Sequence, residues 1–202
     1  DKWIFICKKE HLEKSTIEKV LKFYFNNVMI LSISSLTEGQ LSTCLIAKDY
    51  LNEDDALTIG ACDNSMRFSM NNYLKLKSRF DVLVWTFYQN PVVLNNPDMY
   101  GWAKLNNSGL VSSISCKSAI SNDPINDFAL AGTFSFKKAG VFLENAEKVL
   151  KKERRINNEF YVDTVIDECA SGAYKVLPFN VDKYNCWGTP KDLKKFLNQN
   201  KK

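Results

Sequence analysis

Asp63 is the first residue of this chain whose type and position suggest chemistry. It ends an apolar segment, residues 56–63, that has the composition of a buried strand. In open α/β sheets, ligands bind beyond the carboxyl ends of the strands, and a carboxylate there can hold a divalent cation over phosphate groups. The same position suits an Asx turn or a helix N-cap, so a purely local role stays open.

Three further residues stand at the ends of predicted elements. Lys117 follows a predicted strand, and its ammonium group could reach a phosphate, although an exposed lysine at a sheet edge would look the same. Glu159 lies between two predicted helices, where it could accept hydrogen bonds from sugar hydroxyls or cap a helix. Gly39 opens a predicted helix and would let backbone N–H groups approach a base or a phosphate, or serve only as a turn residue.

Several other kinds of site are disfavoured by the sequence. The six cysteines form no C-x-x-C pair, and His11 is the only histidine, which argues against a Cys/His zinc site and against a Cys–His nucleophile. The sequence contains no Walker A, G-x-S-x-G or H-E-x-x-H motif. Most cysteines lie in apolar runs, which predicts buried free thiols and a reducing, cytoplasmic location.

The net charge and the hydropathy of the sequence limit the kinds of partner that we expect. The 202 residues carry a net charge of +4, and the basic residues are scattered, so a dedicated nucleic-acid binder is not expected. The longest apolar runs are too short to cross a bilayer, so no membrane insertion is expected.

The elements that would position these residues follow from hydrophobic periodicity. The predicted strands are residues 3–7, 28–33, 56–61, 81–87, 100–105, 110–116, 128–136 and 173–179. The predicted helices are residues 11–25, 40–51, 139–151, 161–170 and a last one that begins at Pro190. The first five elements alternate β-α-β-α-β, which is typical of a parallel sheet with helical crossovers. We therefore expect a single α/β domain over residues 1–202, with a mixed, mostly parallel sheet flanked by helices.

The last helix has strong start signals. Thr189 can accept a backbone N–H as the N-cap residue, and Pro190 suits the first helical position. Asp192 occupies the third position, where a carboxylate interacts favourably with the positive end of the helix dipole.

Taken in order, short segments along the chain resemble the sugar-1-phosphate nucleotidylyltransferases, which have a GT-A-like fold, and especially their branch from capsule and surface-polysaccharide loci. The segments are residues 5–11, 37–43, 57–63, 100–101, 115–121, 131–134, 156–161 and 187–193. The resemblance implies transfer of a nucleotidyl group from an NTP to a sugar 1-phosphate, with Mg²⁺ as cofactor and pyrophosphate as the second product. The base, the sugar and self-association into a homo-oligomer stay open.

The resemblance also implies roles for individual residues. Asp63 would bind Mg²⁺ and the nucleotide, and Lys117 would contact the sugar phosphate as a catalytic residue. Gly39 would approach the nucleotide base. The sugar pocket would be formed by Tyr100, Gly101, Lys117, Gly132 and Glu159.

The chain departs from the family pattern at three points. Members begin with a strand and a glycine-rich G-x-G-x-R loop, and this sequence starts after that segment, so we expect a domain that is N-terminally incomplete relative to the family. A second metal-binding Asp corresponds to about Cys186, beside Asn185, and the Glu before the lysine corresponds to Cys116. These departures leave two alternatives: a degenerate binding or regulatory module, and a GT-A glycosyltransferase with residues 63–65 as a degenerate D-x-D site.

Overall fold

Residues 1–199 are described by a computed structural model, and within them the chain forms ten strands and seven α-helices. The strands are β1 (Trp3–Lys8), β2 (Val28–Ile33), β3 (Leu57–Gly60), β4 (Asn64–Arg67), β5 (Val82–Phe87), β6 (Gly101–Leu105), β7 (Val111–Cys116), β8 (Phe128–Phe136), β9 (Val176–Asn180) and β10 (Lys183–Cys186). The helices are α1 (Lys9–Lys14), α2 (Ile17–Tyr24), α3 (Gln40–Leu45), α4 (Met70–Lys77), α5 (Ala139–Lys151), α6 (Val162–Ser171) and α7 (Pro190–Gln199). All eight predicted strands are present, with ends shifted by a few residues.

The strand β8 organises the central sheet, whose order is β7-β6-β8-β5-β9. One edge of β8 pairs with β5 along most of its length. The other edge is shared by two strands: β6 pairs with the first residues of β8, and β3 pairs with the last four. The carboxyl end of β3 and the amino end of β6 therefore approach each other along one edge of the same strand.

The central sheet is mixed, as predicted. Four of its six strands, β3, β5, β6 and β9, run in one direction, and β7 and β8 run in the other. Because β8 lies between β5 and the pair formed by β3 and β6, most hydrogen-bonded neighbours are antiparallel, and β5–β9 is the parallel pair. Most strands therefore run in the same direction, as the expectation of a mostly parallel sheet requires, but most hydrogen-bonded pairs of strands are antiparallel.

Helices cover both faces of this sheet. All six side chains of β5 are buried, as expected for a strand with apolar layers on both sides. On one face, Val82 and Val84 belong to the core that β8 forms with α5 and α6. On the other face, Trp85 packs at 5.2 Å from the ring of Tyr73 in α4. The predicted α/β architecture with flanking helices is confirmed.

The first two strands form a sheet of their own. In the described part of the chain, β1 and β2 pair in parallel with each other and with no strand of the central sheet. None of residues 1–40 is buried, and Leu41 is the first buried residue of the chain. The predicted β-α-β-α-β series is therefore not one continuous sheet, since β3 pairs with β8 instead.

Two predicted helices are interrupted. The helix expected at residues 11–25 is divided into α1 and α2 at Ser15, whose hydroxyl donates to the His11 carbonyl and accepts from the Ile17 N–H at 3.2 Å. Such local side-chain bonds compete with helix continuation. The helix expected at residues 40–51 ends at Leu45, and a short 3₁₀ helix, Lys48–Tyr50, follows.

Three elements were not predicted from the sequence. Helix α4 begins after Ser69, whose hydroxyl accepts the Asn72 N–H at 3.3 Å as an N-cap. Strands β4 and β10 have four residues each and form an antiparallel pair. They are short and polar, and they are distant in sequence, so neither has a periodicity that would reveal it.

The longest helix is α5, with 13 residues. Within residues 1–199, no helix combines the length and the apolar composition needed to cross a membrane.

The different burial of the two sheets leads to a first prediction. Phe134 in β8 is fully buried, whereas Phe5 in β1 is half-buried beside Phe25, at 5.1 Å between ring centroids. Phe134→Ala should therefore lower the free energy of unfolding by about 3–5 kcal/mol, and Phe5→Ala should lower it by less. Urea denaturation of both variants measures this, and an equal or larger loss for Phe5→Ala would contradict the burial pattern.

Candidate functional site

The candidate site lies where β3 ends and β6 begins, beside residues 130–132 of β8. Ala61 extends the pairing of β3 by donating its N–H to the Gly132 carbonyl at 2.9 Å. Gly132 has φ +71°, and a Cβ there would lie 3.1 Å from the Cβ of Ala61. Glycine is thus required at this position for backbone conformation and for close strand approach.

Asp63 follows directly and has an exposed side chain. Its carbonyl accepts the Trp187 N–H at 2.7 Å, and its carboxylate oxygen Oδ2 lies close to Gly188, where an added Cβ would be 3.3 Å away. The neighbouring Asn64 amide donates to the Ala131 carbonyl at 3.1 Å. These bonds fix the backbone on both sides of Asp63, while its carboxylate stays accessible.

The pairing of β4 with β10 brings Cys186 beside Asp63. Cys186 lies opposite Asn64, and Asn185 lies opposite Ser65, to which its amide donates at 3.0 Å. The Cys186 thiol lies close to the hydroxyls of Tyr100 and Tyr184, and it accepts the Gly188 N–H at 3.5 Å. Burial, followed by the neighbouring Cys186, raises the pKa of both phenols, which therefore remain neutral hydrogen-bonding groups.

The predicted helix cap is present at the start of α7. Thr189 accepts the Asp192 N–H at 3.2 Å, and its hydroxyl donates to Asp192 Oδ2 at 2.6 Å. The carboxylate of Asp192 is therefore committed to the cap, although it lies close enough to Tyr100 to raise the pKa of that phenol after burial and Cys186.

The residues near Asp63 fit a magnesium ion that has only one carboxylate ligand from the protein. Within residues 1–199, no group of three or more acidic, histidine or cysteine side chains is arranged to hold a metal ion. Mg²⁺ commonly uses one or two carboxylates together with substrate phosphates and water, and it binds sulfur poorly. The exposed carboxylate of Asp63 can serve as that single protein ligand, whereas the thiol of Cys186 is unsuited.

Lys117 is not an ordinary edge lysine. Its residue is in the left-handed region, with φ +56°, immediately after β7, and its N–H donates to the Tyr100 carbonyl at 3.1 Å. Its ammonium group donates to the Met99 carbonyl and lies 5.5 Å from the centre of the Tyr161 ring. The positive charge of Lys117 is therefore held at the amino end of β6, next to the backbone of Met99 and Tyr100.

Asp163 is a site residue that the sequence analysis missed. It is 8% exposed, and its carboxyl group lies close to the Cys116 thiol and to the charge of Lys117. A Cβ on Gly101 would lie within 2.3 Å of its oxygen Oδ2, so the space left by Gly101 is filled by this carboxyl group. Burial raises the pKa of Asp163. An acidic residue inside the apolar start of α6 is the sequence signal that could have revealed it.

Glu159 and Gly39 lie next to each other, beside Tyr161. The Tyr161 hydroxyl donates to Glu159 Oε2 at 2.6 Å, and burial together with this bond raises the pKa of Tyr161. Gly39 has φ +119°, and a Cβ there would lie 2.6 Å from the Phe160 carbonyl oxygen and 3.0 Å from the Cβ of Glu159. The glycine is therefore required by backbone packing whether or not a ligand approaches it.

The predicted site residues are thus joined by contacts. Gly132 lies beside Asn64, the neighbour of Asp63. The Tyr100 side chain lies near Cys186, and the Tyr100 carbonyl accepts the Lys117 N–H. The Tyr161 ring lies between Lys117 and Glu159, and Glu159 is in contact with Gly39. The ligand-binding roles of these residues stay predictions. What the geometry supplies is an accessible carboxylate and a held ammonium group on two sides of Tyr100.

Similarity to proteins of known structure is confined to the fold. No family model and no curated protein sequence matches the chain. Among solved structures, a nucleoside-diphosphate-sugar pyrophosphorylase from Vibrio cholerae RC9 superposes with a TM-score of 0.78 at 17% identity, over 98% of this chain and 81% of that one. The inositol-1-phosphate CTP transferase of T. maritima gives a TM-score of 0.68 at 14% identity, over 98% and 74%. HddC from Yersinia pseudotuberculosis gives 0.63 at 12%, over 97% and 77%.

The buried carboxyl group of Asp163 predicts a pH-dependent stability. A carboxyl group with a raised pKa binds protons more readily in the folded protein, so stability falls as pH rises from about 3.9, the ordinary Asp value, towards the raised pKa. Asp163→Asn cannot titrate, so its melting temperature relative to that of the wild type should increase as the pH rises above about 4. Melting curves across this range measure the effect.

Asp167→Asn is the matched control on the same helix. Asp167 accepts the Ile114 N–H at 2.8 Å and pairs with Arg154 at 2.7 Å, so its loss should lower the melting temperature at neutral pH. A constant difference between Asp163→Asn and wild type at every pH would contradict the burial of an ionisable carboxyl group at position 163.

Proposed function

We propose that this protein transfers a nucleotidyl group from an NTP to a sugar 1-phosphate and releases pyrophosphate. The observation that carries the proposal is the placement of Asp63 and Lys117 near Tyr100, where the carboxyl ends of β3 and β7 meet the amino end of β6. The fold that the chain has in common with a nucleoside-diphosphate-sugar pyrophosphorylase and an inositol-1-phosphate CTP transferase is consistent with this chemistry.

The reaction requires positioning and charge neutralisation more than covalent chemistry. A phosphate oxygen of the sugar 1-phosphate forms a bond to the α-phosphorus of the NTP, while the bond from that phosphorus to the bridging oxygen breaks and pyrophosphate leaves. Lys117 would bind the sugar phosphate, with its charge near the attacking oxygen. Mg²⁺, held by Asp63, would neutralise the phosphate charges of the nucleotide.

The remaining predicted residues would serve recognition. The neutral hydroxyl of Tyr100, the backbone at Gly101 and Gly132, and the exposed carboxylate of Glu159 would form the sugar side of the site, and the backbone at Gly39 would form the nucleotide side. We further propose a role in surface-polysaccharide synthesis in the cytoplasm, for which the six free cysteines are suited.

A second candidate is a binding or regulatory module of the same fold. Cys186 favours it, because a thiol lies beside Asp63 where a second carboxylate would strengthen a magnesium site. Such a module would bind nucleotide or sugar phosphate without forming pyrophosphate, so binding and turnover have to be measured separately.

Asp63→Asn should abolish magnesium-dependent stabilisation by nucleotide. A ligand bound only by the folded state raises the melting temperature. We expect one of CTP, UTP, dTTP and GTP, with Mg²⁺, to raise that of the wild type and none to raise that of the variant. Asp54→Asn is the control, since Asp54 is an exposed partner of Lys138 at 2.8 Å, remote from the site. Undiminished stabilisation of Asp63→Asn would remove Asp63 as the metal ligand.

Lys117→Gln should reduce turnover far more than stability. The ammonium group is half-buried, donates to the Met99 carbonyl and lies near the Asp163 carboxyl group, so its loss should lower the melting temperature only modestly. Pyrophosphate release should fall by about 10²-fold or more, as when an electrostatic group at a reacting centre is lost. Lys104→Gln, at an exposed position of β6, serves as the control. Equal turnover of Lys117→Gln and wild type would exclude Lys117 from the reaction.

A further inference from the structure

Arg155 contacts two separate segments of the candidate site. Its guanidinium group stacks on the ring of the buried Phe160, at 3.9 Å from the ring centroid. One end of the group donates to Glu38 at 3.1 Å, and its Nε donates to Glu153 at 2.9 Å. Because the guanidinium is planar and always charged, it can stack and form both ion pairs at once.

The segments that Arg155 joins are also paired through their backbones. The Phe160 N–H donates to the Glu38 carbonyl at 2.8 Å, and the Leu41 N–H donates to the Phe160 carbonyl at 2.9 Å. Gly39 lies between these two bonds and passes so close to Phe160 that no Cβ would fit. The pairing holds Gly39, proposed for the nucleotide side, against Glu159, proposed for the sugar side.

The segment on both sides of Arg155 adopts a conformation that needs support. Glu153, Asn157 and Asn158 have φ of +48°, +49° and +63°, in the left-handed region that residues other than glycine rarely occupy. Such residues persist only when surrounding contacts hold them. Arg155 supplies contacts at both ends, through the Glu153 carboxylate and through the Asn158 carbonyl at 3.4 Å.

The preceding residue offers a clear contrast. Arg154 pairs with Asp167 at 2.7 Å and with Glu168 at 2.6 Å, both on α6. Within residues 1–199 its ion pairs and side-chain hydrogen bonds include neither Glu38 nor Phe160. The two adjacent arginines thus contact different parts of the molecule: Arg154 binds α6, and Arg155 connects two segments of the candidate site.

We propose that Arg155 is a positioning residue that locks the Glu38–Gly39 turn onto the Glu159–Phe160 segment and so fixes the nucleotide side of the site against its sugar side. Its consequence for catalysis rests on the proposed function, whereas the locking itself does not. Arg155 touches no reacting atom in this scheme and acts through the two segments that it joins.

The first test measures hydrogen exchange at the Leu41 and Phe160 amides by NMR. Arg155→Gln should speed exchange of these two amides by about tenfold or more, since it removes charged hydrogen bonds, and leave the amides of α6 unchanged. Arg154→Gln should speed exchange of the α6 amides and leave the Leu41 and Phe160 amides unchanged. Glu38→Gln removes the same ion pair from the other side, at an exposed residue, and should repeat the result of Arg155→Gln more weakly. No change in Arg155→Gln, or an equal change in both arginine variants, would overturn the proposal.

The second test is kinetic and uses glucose 1-phosphate with each of CTP, UTP, dTTP and GTP. Arg155→Gln should raise KM for both substrates, and Arg155→Lys should restore little because lysine lacks the planar fork. Arg154→Gln should leave both KM values as in the wild type, and unaltered KM values in Arg155→Gln would overturn the positioning role. If the wild type itself releases no pyrophosphate while the exchange result holds, the proposed function fails and the locking by Arg155 stands.

Discussion

The sharing of one edge of β8 by two strands is the constraint on which the site depends. Because β3 and β6 pair end to end along that edge, the carboxyl end of β3 and the amino end of β6 must meet near residues 130–132. β7 pairs antiparallel with β6, so its carboxyl end arrives at the same place, with Cys116 opposite Gly101. Three strand ends thus converge: Asp63 follows the end of β3, Tyr100 precedes β6 and Lys117 follows β7.

The convergence leaves little room for side chains, and the chain accommodates it with glycine. Gly132 allows β3 to approach β8, and Gly101 leaves the space that the buried Asp163 fills. Burying this carboxyl group costs stability that the nearby charge of Lys117 offsets only in part, since burial still raises its pKa, and a thiol is a weak partner for it. A group that costs stability yet lies beside a held lysine is the kind of feature that function retains.

The sequence predicts the parts of this arrangement that depend on local pattern. Periodicity identifies the strands, and Asp63 and Lys117 attract notice because each follows an apolar run. The β4–β10 pair escapes prediction because its four-residue strands are polar and its partners, such as Ser65 and Asn185, lie 120 residues apart. Asp163 escapes for a similar reason, since its importance comes from the register that places Gly101 opposite Cys116. The separation of residues 1–40 from the central sheet likewise depends on long-range pairing, which no local pattern encodes.

We propose that the site forms a bond between a sugar phosphate oxygen and a nucleotide α-phosphorus. ³¹P NMR of the protein with Mg²⁺, hexose 1-phosphates and each NTP in turn tests this bond formation. For one nucleotide, we expect pyrophosphate and the paired phosphorus signals of a nucleoside-diphosphate sugar to appear together and in equal amounts. Pyrophosphate without a sugar nucleotide, or unchanged substrates in a sample that binds the nucleotide, would contradict it.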